Sequence, residues 1–420
     1  MSDPQALIQD ALDHVRAAED SLVAWQHDNP PLPPLPTETP RPCRDVMAIL
    51  GVCTHLESAP YSTNVPKVIE AIKALRIKRV RCRIYNNNTA QREAFKKITA
   101  ETGATFVSNL GQPGQAATPT KMVTWLETFP EGVVTAIEGN NEPNLQLGAD
   151  WAAKTRQWMA DLKAALSASS KAWVRALPLL APALGKREGY ETLGPIPQAD
   201  YGNIHIYQGG DLADFRLDQG IKDEEACTGN KPVITTETGY HNAMNNTGTH
   251  IPTSEKAAGI YVPEIPLEHL LRGKSAGAYL YELVDNPANP EGTDQEAHFG
   301  LLRSDWSGKP SYNGLVKVSD AFADDGFAAP DLSPVHVKIE GPPDLQHILF
   351  AHSDGTYRMA LWRRVSVWDK TAQKDLTVPA VAITATFAKT YTNVNQTKPP
   401  GAPVTGTLGA GVAVVAFSLT

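Results

Sequence analysis

The sequence has few cysteines, no long apolar run and no block of like charges. The four cysteines include no CxxC pair and no histidine at metal-ligand spacing. At this chain length we therefore expect neither a disulfide framework nor a cysteine metal site. Cys53 and Cys82 are predicted to be small buried hydrophobic residues.

The absence of long apolar runs and of like-charge runs also argues against several classes of binding partner. No stretch of about 18 residues is continuously apolar, so no membrane span is expected. A net charge of −8 without like-charge runs argues against nucleic acid and anionic membranes, but not against a glycan. The N-terminus lacks the pattern of a secretory signal. The expected location is the cytoplasm, or the outside of a cell or a virion reached by a non-classical route.

The first 42 residues differ from the rest. Residues 1–29 are predicted to contain a helix over 5–26, because Ile8, Val15 and Leu22 recur at one heptad position. This helix can dock on the main domain, or join copies of the chain into a homo-oligomer or larger assembly. Residues 30–42, rich in proline, are predicted to be a stiff linker.

Residues 43–327 alternate between strand-like and helical patterns. The strand candidates are VMAILGV, KRVRCRIY, ATFVSNL, GVVTAIEG, VRALPLLAP, YGNIHIYQ, PVITTETG and AGAYLYELVD. Repeated βα units of this number predict the α/β class and a closed (β/α)8 TIM barrel. A doubly wound open sheet is the alternative, but no glycine-rich phosphate loop follows the first strand. Residues 328–420, with short alternating runs, are predicted to form a C-terminal antiparallel β-sandwich.

Two glutamates lie at predicted strand ends, where barrel proteins place their function. Glu142 follows strand four, between Asn141 and Pro143, and Glu237 lies at the end of strand seven. The two carboxylates can face one another across the barrel mouth. One can protonate a leaving oxygen while the other attacks, or activates water, as glycoside hydrolysis requires.

Strand six adds polar residues to the same interior. Alternation in NIHIY turns Asn203, His205 and Tyr207 inward. Tyr207 is predicted to hydrogen-bond and orient a nucleophilic carboxylate. His205 is a candidate substrate-binding residue, although a hydrogen-bonded core histidine is the simpler interpretation.

Strand two places arginines on its polar face. An inward arginine needs a partner, and Glu138 is predicted to pair with Arg81 in a structural ion pair. Arg83, nearer the mouth, is predicted to contact the nucleophile and keep it ionised.

The remaining candidates are single residues. Asn141 can hold a sugar hydroxyl, Tyr281 can form a platform for a sugar ring, and His55 is a weaker candidate after strand one. We expect no metal and no other cofactor, because His205 and His241 are the only histidines near the predicted site.

Together these residues resemble clan A of the glycoside hydrolases, the retaining (β/α)8 glycosidases. The matching features are Asn141-Glu142-Pro143, Glu237 in TTETGY, HIY at 205–207, and Arg83. The segment YELVDNPANPEGTDQEAHFGLLRSDWSGKPSYNGL is similar to the strand-eight region of family 39 and its relatives, which often carry an appended β-sandwich. The resemblance covers roughly residues 45–420.

The resemblance implies roles for four of these residues. Glu142 would be the acid/base and Glu237 the nucleophile, with Asn141 on the 2-hydroxyl and Tyr207 oriented to Glu237. The sequence departs from the family at strand eight, where many members place a tryptophan and this chain has tyrosines.

Three functions are considered. The first is a retaining glycosidase that cleaves a polysaccharide or cell-envelope glycan with two glutamates. The second is a glycan-binding or adsorption protein on a glycosidase-like scaffold, such as a phage tail component. The third is an unrelated (β/α)8 enzyme, for instance a metal-dependent hydrolase.

Overall fold

The computed structural model describes residues 14–21, 34–248, 250–287, 289–326 and 328–420. Residues 14–21 are helical (α1) and lie within the predicted N-terminal helix. The remainder of that predicted helix falls outside the described residues. Within the described parts of the chain, no helix is long and apolar enough to cross a membrane.

Two short strands and a helix precede the barrel. They are β1 (Thr37–Glu38), β2 (Arg41–Pro42) and α2 (Arg44–Ile49). The prediction of a strand over VMAILGV is wrong in its first half, because α2 covers it. Val46 and Ile49 are three residues apart and both buried, which is the spacing of one helix face.

Seven parallel strands form the barrel sheet. They are β3 (Leu50–Cys53), β4 (Arg79–Arg81), β5 (Thr105–Asn109), β6 (Val134–Glu138), β7 (Gly202–Tyr207), β8 (Val233–Gly239) and β9 (Ser275–Leu280). Their spatial order is β6-β5-β4-β3-β9-β8-β7. The predicted fifth strand fills the gap between β6 and β7, since Leu179 bridges Ile137 and Leu180 bridges Tyr201. The eight staves therefore close, and the predicted (β/α)8 barrel is confirmed.

Helices surround these strands. They are α3 (Val65–Ala74), α4 (Thr89–Thr102), α5 (Pro119–Leu126), α6 (Pro143–Gln146), α7 (Trp151–Ser167), α8 (Ala172–Arg175), α9 (Tyr190–Leu193), α10 (Leu217–Thr228), α11 (Glu255–Leu270) and α12 (Pro310–Phe322). Helix α4 shows why such segments begin and end where they do. The Asn88 side chain accepts a hydrogen bond from the Gln91 amide, and Gly103 ends the helix at φ 70°.

The lower half of the barrel interior is apolar. Six staves each contribute one buried side chain to a common cluster: Cys53, Val107, Ala136, Leu180, Ile234 and Tyr279. The ring of Tyr279 lies where a side chain on Gly51 would stand, so only glycine fits there. Cys53 and Cys82 are both buried, which confirms the sequence prediction for them. This layer is the floor beneath the polar residues at the carboxyl end of the strands.

The C-terminal region is an antiparallel sandwich, as predicted. Its strands are β10 (Val335–Glu340), β11 (Leu345–Ala351), β12 (Tyr357–Arg363), β13 (Trp368–Asp369), β14 (Lys374–Asp375), β15 (Val381–Phe387), β16 (Tyr391–Thr392), β17 (Thr397–Lys398), β18 (Pro403–Leu408) and β19 (Ala413–Leu419). One sheet has the order β1-β10-β15-β18 and the other β17-β16-β19-β12-β11-β2. Strand β11 shows how the sheets pack, because Leu349 joins the sandwich core while Ile348 and Phe350 pack against the barrel helices.

The predicted linker over 30–42 needs correction. Thr37–Glu38 pairs with β10, and Arg41–Pro42 pairs with β11, so this segment contributes one strand to each sheet. Both strands lie at sheet edges, where a proline without an N–H is tolerated. The second half of this proline-rich segment therefore forms two short edge strands instead of a linker. Residues 30–33 lie outside the described residues.

Candidate active site

Glu142 lies at the turn from β6 into α6. Its backbone has φ 47°, in the left-handed region that non-glycine residues rarely adopt. The Glu142 amide donates to the Ala183 carbonyl at 2.9 Å, and Pro143 starts α6. Such a backbone at a strand end is typical of residues placed for function.

Glu237 reaches the barrel interior because β8 is irregular. The register with β7 pairs Ile204 with Thr235 and then His205 with Glu237, so Thr236 is an extra residue. Thr236 Oγ1 donates to Asn203 Oδ1 at 2.7 Å, which places it inside the barrel. Glu237 also points inside. The bulge thus turns two successive residues inward, where a regular strand would turn only one.

His205 lies between the two glutamates. Its Nδ1 is 3.0 Å from Glu142 Oε1 and 3.4 Å from Glu237 Oε2. One carboxylate oxygen of each glutamate and a His205 nitrogen all lie within 4.8 Å of one another. The two strand-end carboxyl groups therefore converge.

Both oxygens of Glu237 accept short hydrogen bonds. Tyr207 donates its hydroxyl hydrogen to Oε2 at 2.6 Å, and Arg81 Nη1 donates to Oε1 at 2.6 Å. The predicted contact between Tyr207 and Glu237 is confirmed. These two donors fix the plane of the carboxylate.

The arginine at Glu237 is Arg81, and the prediction for Arg83 is wrong on this contact. Arg81 also binds Glu138 through Nε and Nη2, at 2.6 and 2.9 Å, as predicted. Arg83 instead donates to Gln115 at 2.5 Å. Arg83 lies two residues nearer the mouth than Arg81, where Gln115 and the Tyr85 ring engage its guanidinium.

Asn141 lines the cavity beside Glu142 and Glu237, and its side-chain amide can still donate a hydrogen bond. Its Oδ1 accepts a hydrogen bond from Arg81 Nη2 at 2.7 Å. Its Nδ2 has no hydrogen-bond partner among the described residues and lines the cavity with Glu142. An amide in this position can donate to a ligand hydroxyl.

Two further predicted residues lie on the strand-eight side. Tyr281 lines the cavity, and its ring centroid lies 6.1 Å from that of Tyr207. His55 packs edge-on against Tyr281 at 5.7 Å, and its Nε2 lies 3.4 Å from Glu282. Burial raises the pKa of Glu282 to about 7, against the opposing effect of His55. His55 therefore lies behind the tyrosine, outside the residues that line the cavity.

Glu142 and His205 shift each other's pKa through their 3.0 Å contact. Burial alone would raise the pKa of Glu142, but its hydrogen bond to His205 and the nearby positive charges bring this pKa below the ordinary value. Burial alone would lower the pKa of His205, but Glu237 and Glu142 bring it above 6.5. The resting pair therefore keeps its proton mainly on the imidazole, in contact with Glu142.

The cavity above these groups has a volume of about 510 Å³. The sequence predictions did not include the loop residues that complete it: Lys186, Arg187, Arg216, His250, Gln295, Glu296 and Phe299. These residues lie in connections with no periodic pattern. Gln295, Glu296 and Phe299 lie in the segment similar to the strand-eight region of family 39, but its pattern did not single them out as lining residues.

Glu142, His205 and Glu237 are also the one group in the described chain that has metal-ligand geometry. Both ring nitrogens of His205 are already engaged, with Glu142 and Thr236. The Arg81 guanidinium adds a fixed positive charge next to Glu237. A cation at this position would have to displace these bonds and approach that charge.

Two solved structures that share this fold are a family 39 glycoside hydrolase and a glucosidase. A family 39 glycoside hydrolase from the gut symbiont Bacteroides cellulosilyticus WH2 aligns at a TM-score of 0.56 and 14% identity, over 90% of this chain and 82% of that one. A glucosidase from Croceicoccus marinus aligns at a TM-score of 0.55 and 12% identity, over 90% and 94%. No family model matches the chain, and no curated protein matches its sequence. The fold is therefore that of the clan A-like glycosidases.

Proposed function

We propose that the protein is a retaining O-glycosidase that cleaves a polysaccharide or a cell-envelope glycan by double displacement. The observation that carries this proposal is the convergence of Glu142 and Glu237, whose nearest oxygens lie within 4.8 Å. Carboxyl groups about 5–5.5 Å apart are typical of retention, and about 6.5–9.5 Å is typical of inversion. Two carboxylates whose nearest oxygens are this close favour the retaining arrangement, and this supports the proposal of double displacement.

Glu237 is the proposed nucleophile. Its oxygen attacks the anomeric carbon while the bond to the leaving oxygen breaks, which gives a covalent glycosyl ester. Arg81 and Tyr207 hold the attacking carboxylate in one orientation, and this reduces the entropy lost on reaching the transition state.

Glu142 is the proposed acid/base. It passes a proton to the leaving oxygen, and His205 supplies that proton through the 3.0 Å contact with Glu142. In the second step Glu142 takes a proton from water, which then attacks the anomeric carbon and releases Glu237. The Nδ2 of Asn141 is placed to donate to the hydroxyl next to the reacting carbon.

The test is Glu237→Gln, which keeps the shape of the side chain and removes the nucleophile. We expect loss of glycan hydrolysis with an unchanged circular dichroism spectrum, and a first-formed product anomer in NMR that matches the substrate in the wild type. Unimpaired turnover in the variant would end this assignment. Glycan retention by the wild type without any depolymerisation would favour the adsorption protein instead.

A metal-dependent hydrolase is tested in the same assay. Because both nitrogens of His205 and both oxygens of Glu237 already have partners in the protein, we expect full activity after dialysis against a chelator. Activity lost to the chelator and restored by a divalent cation would assign these three residues to a metal site.

A further inference from the structure

A second cavity opens at the carboxyl end of the barrel, over β4 and β5. Its volume is about 660 Å³. Arg83, Tyr85, Asn86, Gln115 and Lys121 supply its polar and aromatic wall, and Leu110, Met122 and alanines supply the rest. It therefore combines an aromatic ring, two amides and two cations, which are groups that bind sugars and anions.

The charged residues that line this cavity are all positive. Arg83 and Lys121 are its only charged lining residues, and no carboxylate lines it, in a chain with net charge −8. Within the described parts of the chain neither cation forms an ion pair. The acidic residues closest in sequence have other partners, since Glu93 pairs with Arg92 and Lys96, and Glu127 accepts hydrogen bonds from Ser169 and Ser170. The cavity wall thus offers two positive charges that no protein group neutralises.

Arg83 is held ready for a ligand. Its guanidinium lies 4.6 Å from the centroid of the Tyr85 ring, and Nη2 donates to Gln115. The backbone of Tyr85 is fixed because its amide donates to Gln91 at 3.0 Å. The residue is 36% exposed, so its side chain is accessible to a ligand. A guanidinium flat on an aromatic ring keeps further N–H donors for an anion.

Hydrogen bonds connect the linings of the two cavities, and the connected segments form a wall between them. Gly111 lines the second cavity, and its carbonyl accepts a hydrogen bond from Asn140, the residue before Asn141. Gln112, next in the chain, bonds to Gln146 on the helix that follows Glu142. A chain of sugars that crosses the barrel mouth from Glu142 can therefore pass over this wall into the second cavity.

We propose that the Arg83 cavity binds an anionic saccharide unit, so that the substrate is an acidic polysaccharide held at a point remote from the bond that breaks. This inference rests on the proposed function for the identity of the ligand as a glycan. The negative charge can come from a uronate carboxylate or from a sulfate ester, since both fit a guanidinium and an ammonium group.

Binding to the Glu237→Gln protein tests this without turnover. The probes are a polyuronate oligosaccharide, a sulfated oligosaccharide of neutral sugars, and a neutral oligosaccharide of equal length, measured by calorimetry at low and high salt. We expect at least one acidic probe to bind about tenfold more tightly than the neutral one, with weaker binding at high salt.

Variants assign the binding to this cavity. Arg83→Gln and Lys121→Gln, each added to Glu237→Gln, should weaken acidic-probe binding about tenfold, which is the loss of one charged contact. Lys97→Gln, on the exposed face of α4, is the matched control and should change it less than about twofold. Lys121 is exposed, so its variant remains informative if Arg83→Gln fails to fold.

The outcomes separate the two proposals. Equal affinity for acidic and neutral probes, no binding of either acidic probe, or unchanged affinity in both variants would overturn the cavity assignment. Binding that depends on Arg83 and Lys121, in a wild-type protein that hydrolyses no glycan, would refute the glycosidase and leave the cavity assignment intact.

Discussion

Arg81 Nη1 lies 2.6 Å from Glu237 Oε1, so β4 and β8 are joined through the barrel interior. The same guanidinium binds Glu138, whose side chain is fully buried. A single cation thus neutralises a structural glutamate and positions the proposed nucleophile. Stability and activity are coupled at this residue.

The first prediction concerns the stability of this ion pair. Arg81→Met should lower the free energy of unfolding by about 3–5 kcal/mol, because Glu138 is left as a buried unpaired charge. Adding Glu138→Met should recover part of that loss, since both charges are then gone. Urea unfolding of the two single variants and the double variant measures this coupling. Strictly additive losses would contradict the prediction.

The second prediction concerns the hydroxyl of Tyr207. Tyr207→Phe removes one of the two donors to Glu237, and a hydrogen bond to a charged group contributes about 1.5–3 kcal/mol. We expect kcat to fall about 10–100-fold in a variant that remains folded. Tyr312→Phe is the control, since no described residue bonds to that hydroxyl. Equal kinetic effects of the two variants would exclude an orienting role.

The third prediction concerns the alkaline limb of the pH profile. The Glu142–His205 pair must hold a proton for the first step, and the pKa of His205 lies above 6.5. Activity should therefore persist to that raised pKa and fall as the pH rises through it. In His205→Asn the proton is held by Glu142 alone, so kcat should fall and the limb should move to lower pH.

The pH dependence of kcat/KM for both proteins measures this shift. His336→Asn in the sandwich should leave the limb in place, because His336 contacts Thr37 far from the cavity. An unchanged limb in His205→Asn would show that another group supplies the proton.

The fourth prediction concerns Glu224 on α10. Burial raises the pKa of this carboxyl from 4.5 to about 7. The stability that its protonated form contributes is complete below pH 4.5 and is lost as the pH rises to about 7. This pKa shift corresponds to a loss on the order of 3 kcal/mol in the free energy of unfolding between those two pH values. Glu224→Gln should thus stabilise the protein relative to wild type more at pH 8 than at pH 5.

Urea unfolding at the two pH values measures that difference. Glu191→Gln, at an exposed position of α9, should show no such difference between pH 5 and pH 8. A Glu224→Gln effect that is the same at both pH values would mean that Glu224 is ionised in the folded protein at both.

Strict alternation and strand-end chemistry predicted much of the fold and several contacts of the site. The inward row of Asn203, His205 and Tyr207 and the pair of Arg81 with Glu138 follow from period two in unbroken strands. The main sandwich strands follow from the same alternation. These features depend on local patterns that tertiary contacts do not alter.

Two of the wrong predictions, the contact of Arg83 and the structure of α2, depend on contacts between segments distant in sequence. Arg83 was assigned to the nucleophile because alternation gives the face of a side chain but not its partner, which for Arg83 is Gln115 in the loop after β5. Helix α2 was assigned to a strand because its apolar residues are consecutive, and its buried face is defined by packing against α11, α12 and the sandwich. Neither strand length nor the position of a partner sheet is encoded in a short window of sequence.

Because Thr236 is an extra residue in β8, Glu237 does not face the side that simple alternation from the start of the strand would give it. A deletion of this one threonine would restore regular pleating with Glu237 still opposite His205, but it would remove the hydroxyl that bonds to Asn203 and Glu138 inside the barrel. Alignments of β8 with distant proteins therefore have to allow a single-residue gap before the glutamate, since matching letters without that offset would equate an inward side chain with an outward one.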